Sequence, residues 1–174
     1  TYINYLPDAV SLEPLCGSLP ELVVCKSMSK CYALSGLRVA YAVSQNMATL
    51  RRFIPPWAVS LPGQLAAVAA LRNDAYYAQQ YEVIHSERRK MQQALDDLGF
   101  QVFSGVANYL LTYLPAASGY SSTRFIEACR EQGLFVRDAQ NMGVLLPNNA
   151  VRFAVRSPEE NEKMLSIVDA VLAL

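Results

Sequence analysis

Between Val24 and Tyr41 the chain reads VCKSMSKCYALSGLRVAY, an apolar run that carries Ser27, Ser29, Lys30 and Arg38 at close spacing. These residue types can do chemistry together. Arginine offers a rigid fork of donors that fits an oxyanion, and serine hydroxyls add short ones, so the group can cradle a phosphate. A lysine held beside them becomes a nucleophile toward carbonyls once burial or a neighbouring cation lowers its pKa. An anion cradle next to an amine nucleophile is the pair that a pyridoxal phosphate enzyme requires. A basic loop with solvated serines is the other reading of the same spacing, since lysine and serine are common loop residues.

These side chains need elements to hold them. ELVVCKSMS opens with an apolar run, Leu22 to Cys25, that fits a buried parallel strand with a polar exit. GLRVAYAVS gives a second strand, about Arg38 to Val43. QNMATLRRFI reads as a short helix stopped by Pro55 and Pro56, and SLPGQLAAVAALRN as a second, Ala-rich one. From about Asp74 to Leu98 the residues Tyr77, Tyr81, Ile84, Met91, Leu95 and Leu98 recur at helical steps, and Gly99 stands where a helix ends.

Beyond that helix the character changes. QVFS and NYLLTYLP are β-rich, SSTRFIEACREQG is a helix closed by Gly133, and LFVRD and VRFAVR are short strands. SPEENEKMLSIVDAVLAL is a terminal helix with Ser157 as cap, Pro158 in the first turn and Glu160 three after the cap. Strands alternating with helices predict an α/β or α+β chain. The expected domains are 1–74, a linking helix 75–100, and a small domain 101–174.

Composition narrows the function class. The chain has 174 residues, 52% hydrophobic and 17% charged, enough to bury a core. Fifteen basic and fifteen acidic residues balance with no basic stripe, so nucleic acid is not an expected partner. The four cysteines form no C-x-x-C pair and there is one histidine, so no metal site is expected and the thiols read as free, as in a cytoplasmic protein. No apolar run approaches the ~20 residues of a membrane helix.

SMSKCYALSGLRVAY resembles the cofactor-lysine motif of the class I/II aminotransferases, S-x-S-K followed at fixed distance by G-L-R-x-G/A-Y. These are fold-type I pyridoxal 5'-phosphate enzymes of the aspartate aminotransferase-like group. The resemblance implies an α/β fold: part of the large cofactor-binding domain, then a small α+β carboxy-terminal domain. It implies that Lys30 holds the cofactor covalently, that Ser27 and Arg38 hold its phosphate, with Ser29 as a further candidate, and that Tyr2 lies near the ring hydroxyl. PPWAVSLPGQLAA and GLFVRDAQNMGVLLPNNAVRFAVRSPEEN are similar to the subgroup containing histidinol-phosphate aminotransferase and threonine-phosphate decarboxylase. By that similarity Arg152 clamps the substrate carboxylate and Arg137 the distal end of the substrate. On their own, Arg152 could equally answer a structural carboxylate, and Arg137 could pair with Asp138.

The function so implied is transfer of an amino group between an amino acid and a 2-oxo acid. Decarboxylation of an O-phospho amino acid, or binding without catalysis, are the alternatives. The chain opens TYINYLPDAV, without Met, and YINY reads as a strand end. The family's aspartate for the pyridine nitrogen belongs three residues before Tyr2, ahead of residue 1. The expectation is therefore a carboxy-terminal half, inactive alone, exposing apolar surface and self-associating, from a protein that is a homodimer when complete.

Overall fold

The computed structural model describes residues 1–6 and 10–173, so Leu174 at the end of the expected terminal helix lies outside the described residues. The chain divides into two compact units, Thr1–Tyr81 and Glu82–Leu174, with the division inside one long helix.

In the first unit, β1 (Val24–Ser27) pairs antiparallel with β2 (Ala40–Val43), in the register Val24↔Val43 to Ser27↔Ala40. The expected buried parallel strand is thus corrected. The loop of residues 28–39 returns the chain directly beside β1, with no helical crossover of the kind a parallel pair requires. Both strands are largely half-buried. The expected second strand also starts late, because Arg38 adopts φ 54° and turns the chain before Ala40. The segment YINY is a 3-10 turn, Ile3–Tyr5, rather than a strand end.

Three helices follow as expected: α1 (Met47–Arg51), α2 (Leu61–Leu71) and α3 (Asp74–Asp97). Ser60 caps α2 by accepting from the Gly63 N–H, and Pro62 lies in its first turn. Gly63 has a second use. A Cβ there would lie 3.3 Å from the Leu37 carbonyl, so glycine lets α2 approach the loop that carries Arg38. Tyr5, Tyr32, Tyr77 and Tyr81 pack edge-on or tilted, with ring centroids 5.0–6.5 Å apart. Phe53, Trp57, Leu61 and Leu65 are exposed.

The second unit holds a four-stranded antiparallel sheet in the order β3-β4-β6-β5: β3 Gln101–Val102, β4 Tyr109–Tyr113, β5 Arg137–Asp138, β6 Ala150–Ala154. Its alternation separates two faces. Leu110, Val151 and Phe153 turn inward and pack with Met91 and Leu95 of α3, with Phe125 and Cys129 of α4 (Ser122–Glu131), and with Met164 and Val168 of α5 (Pro158–Leu172). Tyr109, Leu111, Tyr113, Arg137 and Arg152 lie on the other face, where Leu111 and Arg137 are both register partners of Arg152. The helix ends obey their local signals. Gly99 (φ 86°) and Gly133 (φ 80°) end α3 and α4, and Ser157 with Glu160 forms the capping box of α5.

Candidate active site

In the first unit the motif residues lie at the loop end of the β1–β2 hairpin, on the end of β1 and the 28–39 connection. The Met28 N–H donates to the Val39 carbonyl at 3.2 Å and the Leu34 N–H to the Met28 carbonyl at 3.0 Å. The register sets Ser27 across from Ala40, and the first of these bonds sets Met28 across from Val39, the residue after Arg38. Ser27 Oγ donates to Ser29 Oγ at 3.1 Å and accepts from the Ser29 N–H at 3.3 Å. Arg38 is exposed, and its Nη1 donates to the Ser35 carbonyl at 2.9 Å. Its left-handed backbone costs an ordinary residue roughly 1–2 kcal/mol. Ala33 in the same loop shares that backbone, with φ 56°.

Lys30 lies three residues past the end of β1 and is exposed. Its carbonyl accepts from the Tyr5 hydroxyl at 3.2 Å. Burial, followed by the charges of Cys31 and Tyr2, pushes the Tyr5 phenol up to about 12, so at neutral pH it stays a proton donor that fixes the Lys30 backbone. Tyr2 is half-buried, its ring 6.4 Å from that of Tyr5.

The sequence reading missed what anchors this hairpin. Lys26 is 12% exposed in its side chain and ion-paired with Glu13. Glu13 also accepts from the Ser11 hydroxyl and, at 2.9 Å, from the Tyr41 hydroxyl. Burial works to raise the Glu13 pKa, but Lys26, Ser11 and Tyr41 outweigh it and hold the carboxyl below its ordinary value. Tyr41 is pushed up by its own burial and by Glu13. The one available signal was Lys26 sitting cross-strand from Tyr41, a pairing invisible until β1 and β2 are known to be antiparallel.

In the second unit, Arg152 lies with its guanidinium carbon 5.0 Å from the centroid of the Tyr109 ring, a cation–π contact. Arg137 is exposed and directly cross-strand from Arg152. Neither makes an ion pair among the described residues; Asp138 instead accepts from Ser122 and from the Gln140 N–H. Two like charges facing each other on one strand pair are destabilising, and an anion between them relieves the repulsion. A groove of about 330 Å³ beside Arg152 adds Arg156 and Lys163, against the single acid Glu160. Arg156 is bonded to Glu160 at 3.0 Å. The two sets of residues belong to different units: Ser27, Ser29, Lys30, Arg38 and Tyr2 to the first, Arg137 and Arg152 to the second.

A strained arginine, two linked hydroxyls and an amine within one hairpin suit a phosphate-bearing carbonyl cofactor. Two facing arginines on an open sheet face suit a carboxylate or phosphate. Residues 2–168 match the sequence profile of the aminotransferase class I and II family, so the chain belongs to that pyridoxal phosphate-dependent family. It is 34% identical over 168 residues to an aromatic amino acid aminotransferase of Rhodococcus erythropolis, covering 95% of this chain and 44% of the relative. It is 30% identical over 175 residues to a threonine-phosphate decarboxylase of Salmonella typhimurium, covering 98% and 47%. The fold matches the crystal structure of the histidinol-phosphate aminotransferase from Clostridium acetobutylicum with TM-score 0.85 at 23% identity, over 99% of this chain and 52% of that one. The chain therefore spans about half the length of the curated relatives it matches.

Proposed function

We propose that the chain carries the lysine-bearing part of a pyridoxal 5'-phosphate-dependent aminotransferase, which moves an amino group between an amino acid and a 2-oxo acid. The observation that carries this reading is the hairpin end itself, where Lys30 follows the Ser27–Ser29 hydroxyl pair and Arg38 is held left-handed. The residues fit the cofactor: Arg38 makes no ion pair among the described residues, so its charge is available to a phosphate.

When bound, the cofactor supplies an electron sink for the electrons of a broken bond at the substrate Cα. The chain's own residues do the rest. Ser27, with Ser29 beside it, and Arg38 bind the phosphate. Lys30 would hold the cofactor, and its amine would move the proton from the substrate Cα. Tyr5 keeps the Lys30 backbone in place. Tyr2 would lie near the ring hydroxyl. Arg152 grips the substrate carboxylate, which sets the bond at Cα that breaks, and Arg137 reads the distal group. The working form is a cytoplasmic homodimer.

A second reading has its own observation. The similarity to a threonine-phosphate decarboxylase covers nearly the whole chain, and Arg137 beside Arg152 suits a second, phosphate anion. One experiment separates the readings. The full-length gene product is incubated with pyridoxal 5'-phosphate, reduced with borohydride and mapped by mass; the reading expects the label on Lys30 and none in Lys30→Ala. Product analysis then shows either a 2-oxo acid formed at the expense of 2-oxoglutarate, or CO2. Label elsewhere, or unchanged turnover in Lys30→Ala, refutes both.

A further inference from the structure

Arg88 lies on α3 with 6% of its surface exposed, and among the described residues it makes no ion pair. Its Nη1 donates to Gln92 Oε1 at 3.3 Å and its Nη2 to the Phe103 carbonyl at 3.4 Å, both long bonds. Its Nε has no hydrogen-bond partner among the described residues. Burial pushes the guanidinium below its ordinary pKa, and Tyr109 works against that shift. A buried cation answered so thinly costs stability, and an apolar side chain of similar volume would pack there at lower cost. Core packing therefore does not account for it.

The surroundings of Arg88 show what it holds. The loop of residues 103–108 runs past it, and a Cβ on Gly105 would come 3.2 Å from Nη2, so glycine makes room for the guanidinium. The loop leads into Tyr109, whose ring lies beneath the Arg152 guanidinium. Next to Tyr109, the Asn108 carbonyl accepts from the Val155 N–H at 2.9 Å and so ties the same loop to the end of β6, three residues past Arg152. Arg88 thus touches the chain on one side of the loop, and Tyr109 and Asn108 meet β6 on the other.

We propose that Arg88 is a positioning residue for the anion grip of Arg152: it fixes the 103–108 loop, and through it the Tyr109 ring that sets the direction of the Arg152 guanidinium. The inference rests on the reading of Arg152 as the substrate-carboxylate arginine. A group that aims the carboxylate grip acts first on substrate binding, so its loss raises KM more than it lowers kcat.

The test uses the full-length gene product, with KM and kcat for the amino-acid substrate and the thermal midpoint measured on each variant. Arg88→Met is expected to raise KM about tenfold with kcat within about twofold. Arg88→Lys keeps a cation and one donor toward Phe103, and is expected to return KM to within about threefold of the parent. Gly105→Ala retains Arg88 but forces its guanidinium aside; it raises KM in the same direction by a smaller factor and serves if Arg88→Met does not fold. A lowered thermal midpoint with KM unchanged in these variants makes Arg88 purely structural and overturns the proposal. Arg152→Lys separates the two layers of argument. If it leaves KM unchanged, the reading of Arg152 fails and this inference with it; if it raises KM while Arg88→Met and Gly105→Ala do not, only the inference fails.

Discussion

Glu13→Gln removes one charge from the anchor of the lysine-bearing hairpin. In the parent, Glu13 meets the ammonium of Lys26, whose side chain is 12% exposed, and accepts from the Ser11 and Tyr41 hydroxyls. Glutamine keeps an amide oxygen for one hydroxyl but turns a charge-assisted contact into at best a neutral one. That exchange loses about 1–2 kcal/mol, and leaving Lys26 largely desolvated and unpaired adds about 1 more. The expected loss is therefore about 2–3 kcal/mol at pH 7, a little below the range for a fully buried pair because Glu13 itself is 24% exposed.

The pH dependence has a defined sign. The folded-state pKa of Glu13 lies below its ordinary value, so the unfolded chain binds more protons in this range. The contribution is complete above the unfolded carboxyl pKa and is lost as the pH falls through the folded one. A protonated Glu13 leaves Lys26 as unanswered as the substituted glutamine does, so the parent and the variant converge in acid. The assay is urea unfolding followed by far-ultraviolet circular dichroism at a series of pH values from 7 downward. Trp57, 96% exposed, is a poor fluorescence reporter for this purpose. A difference below about 0.5 kcal/mol at pH 7, the level of an ordinary surface substitution, refutes the reasoning. So does a difference that stays constant into acid.

Two further outcomes follow from backbone and burial. Gly99→Ala places a side chain at φ 86°, with its Cβ 3.5 Å from Pro115, at the turn where the Phe100 N–H bonds to the Leu95 carbonyl; it should cost about 1–2 kcal/mol in the same unfolding assay, and an unchanged midpoint contradicts this. Of the four free thiols, Cys25 is exposed while Cys16, Cys31 and Cys129 are buried, and burial pushes Cys129 up to about 11. A thiol reagent at pH 8 should label Cys25 alone in the native chain and all four in urea, and rapid native labelling of Cys129 would count against the packing described.

The motif was legible because its information is local. Ser27, Ser29, Lys30 and Arg38 fall within one hairpin, so their spacing alone brings them together. The helices were legible for the same reason: Ser60, Ser157, Gly99 and Gly133 start or stop them through bonds to residues a few positions away. The pairing of β1 was not legible. An apolar run of four residues looks alike in a parallel and an antiparallel pair, and only the path of the loop after Ser27 distinguishes them. Nor did the strand-like pattern of YINY reveal its 3-10 turn, which is held by the Tyr2 and Ile3 carbonyls.

The sequence by itself determined which side chains are available for chemistry: an amine, two hydroxyls and an arginine at one turn, and two arginines on short strands far downstream. The tertiary structure decided what holds them. Glu13 reaches Lys26 and Tyr41 across 13 and 28 positions, and Arg88 reaches Phe103 across 15. Arg137 and Arg152 become neighbours only when β5 pairs with β6. Contacts at such separations carry no periodic signal in the chain. They follow from apolar burial that brings distant elements together, after which each desolvated charge must be answered by whatever group the packing places beside it.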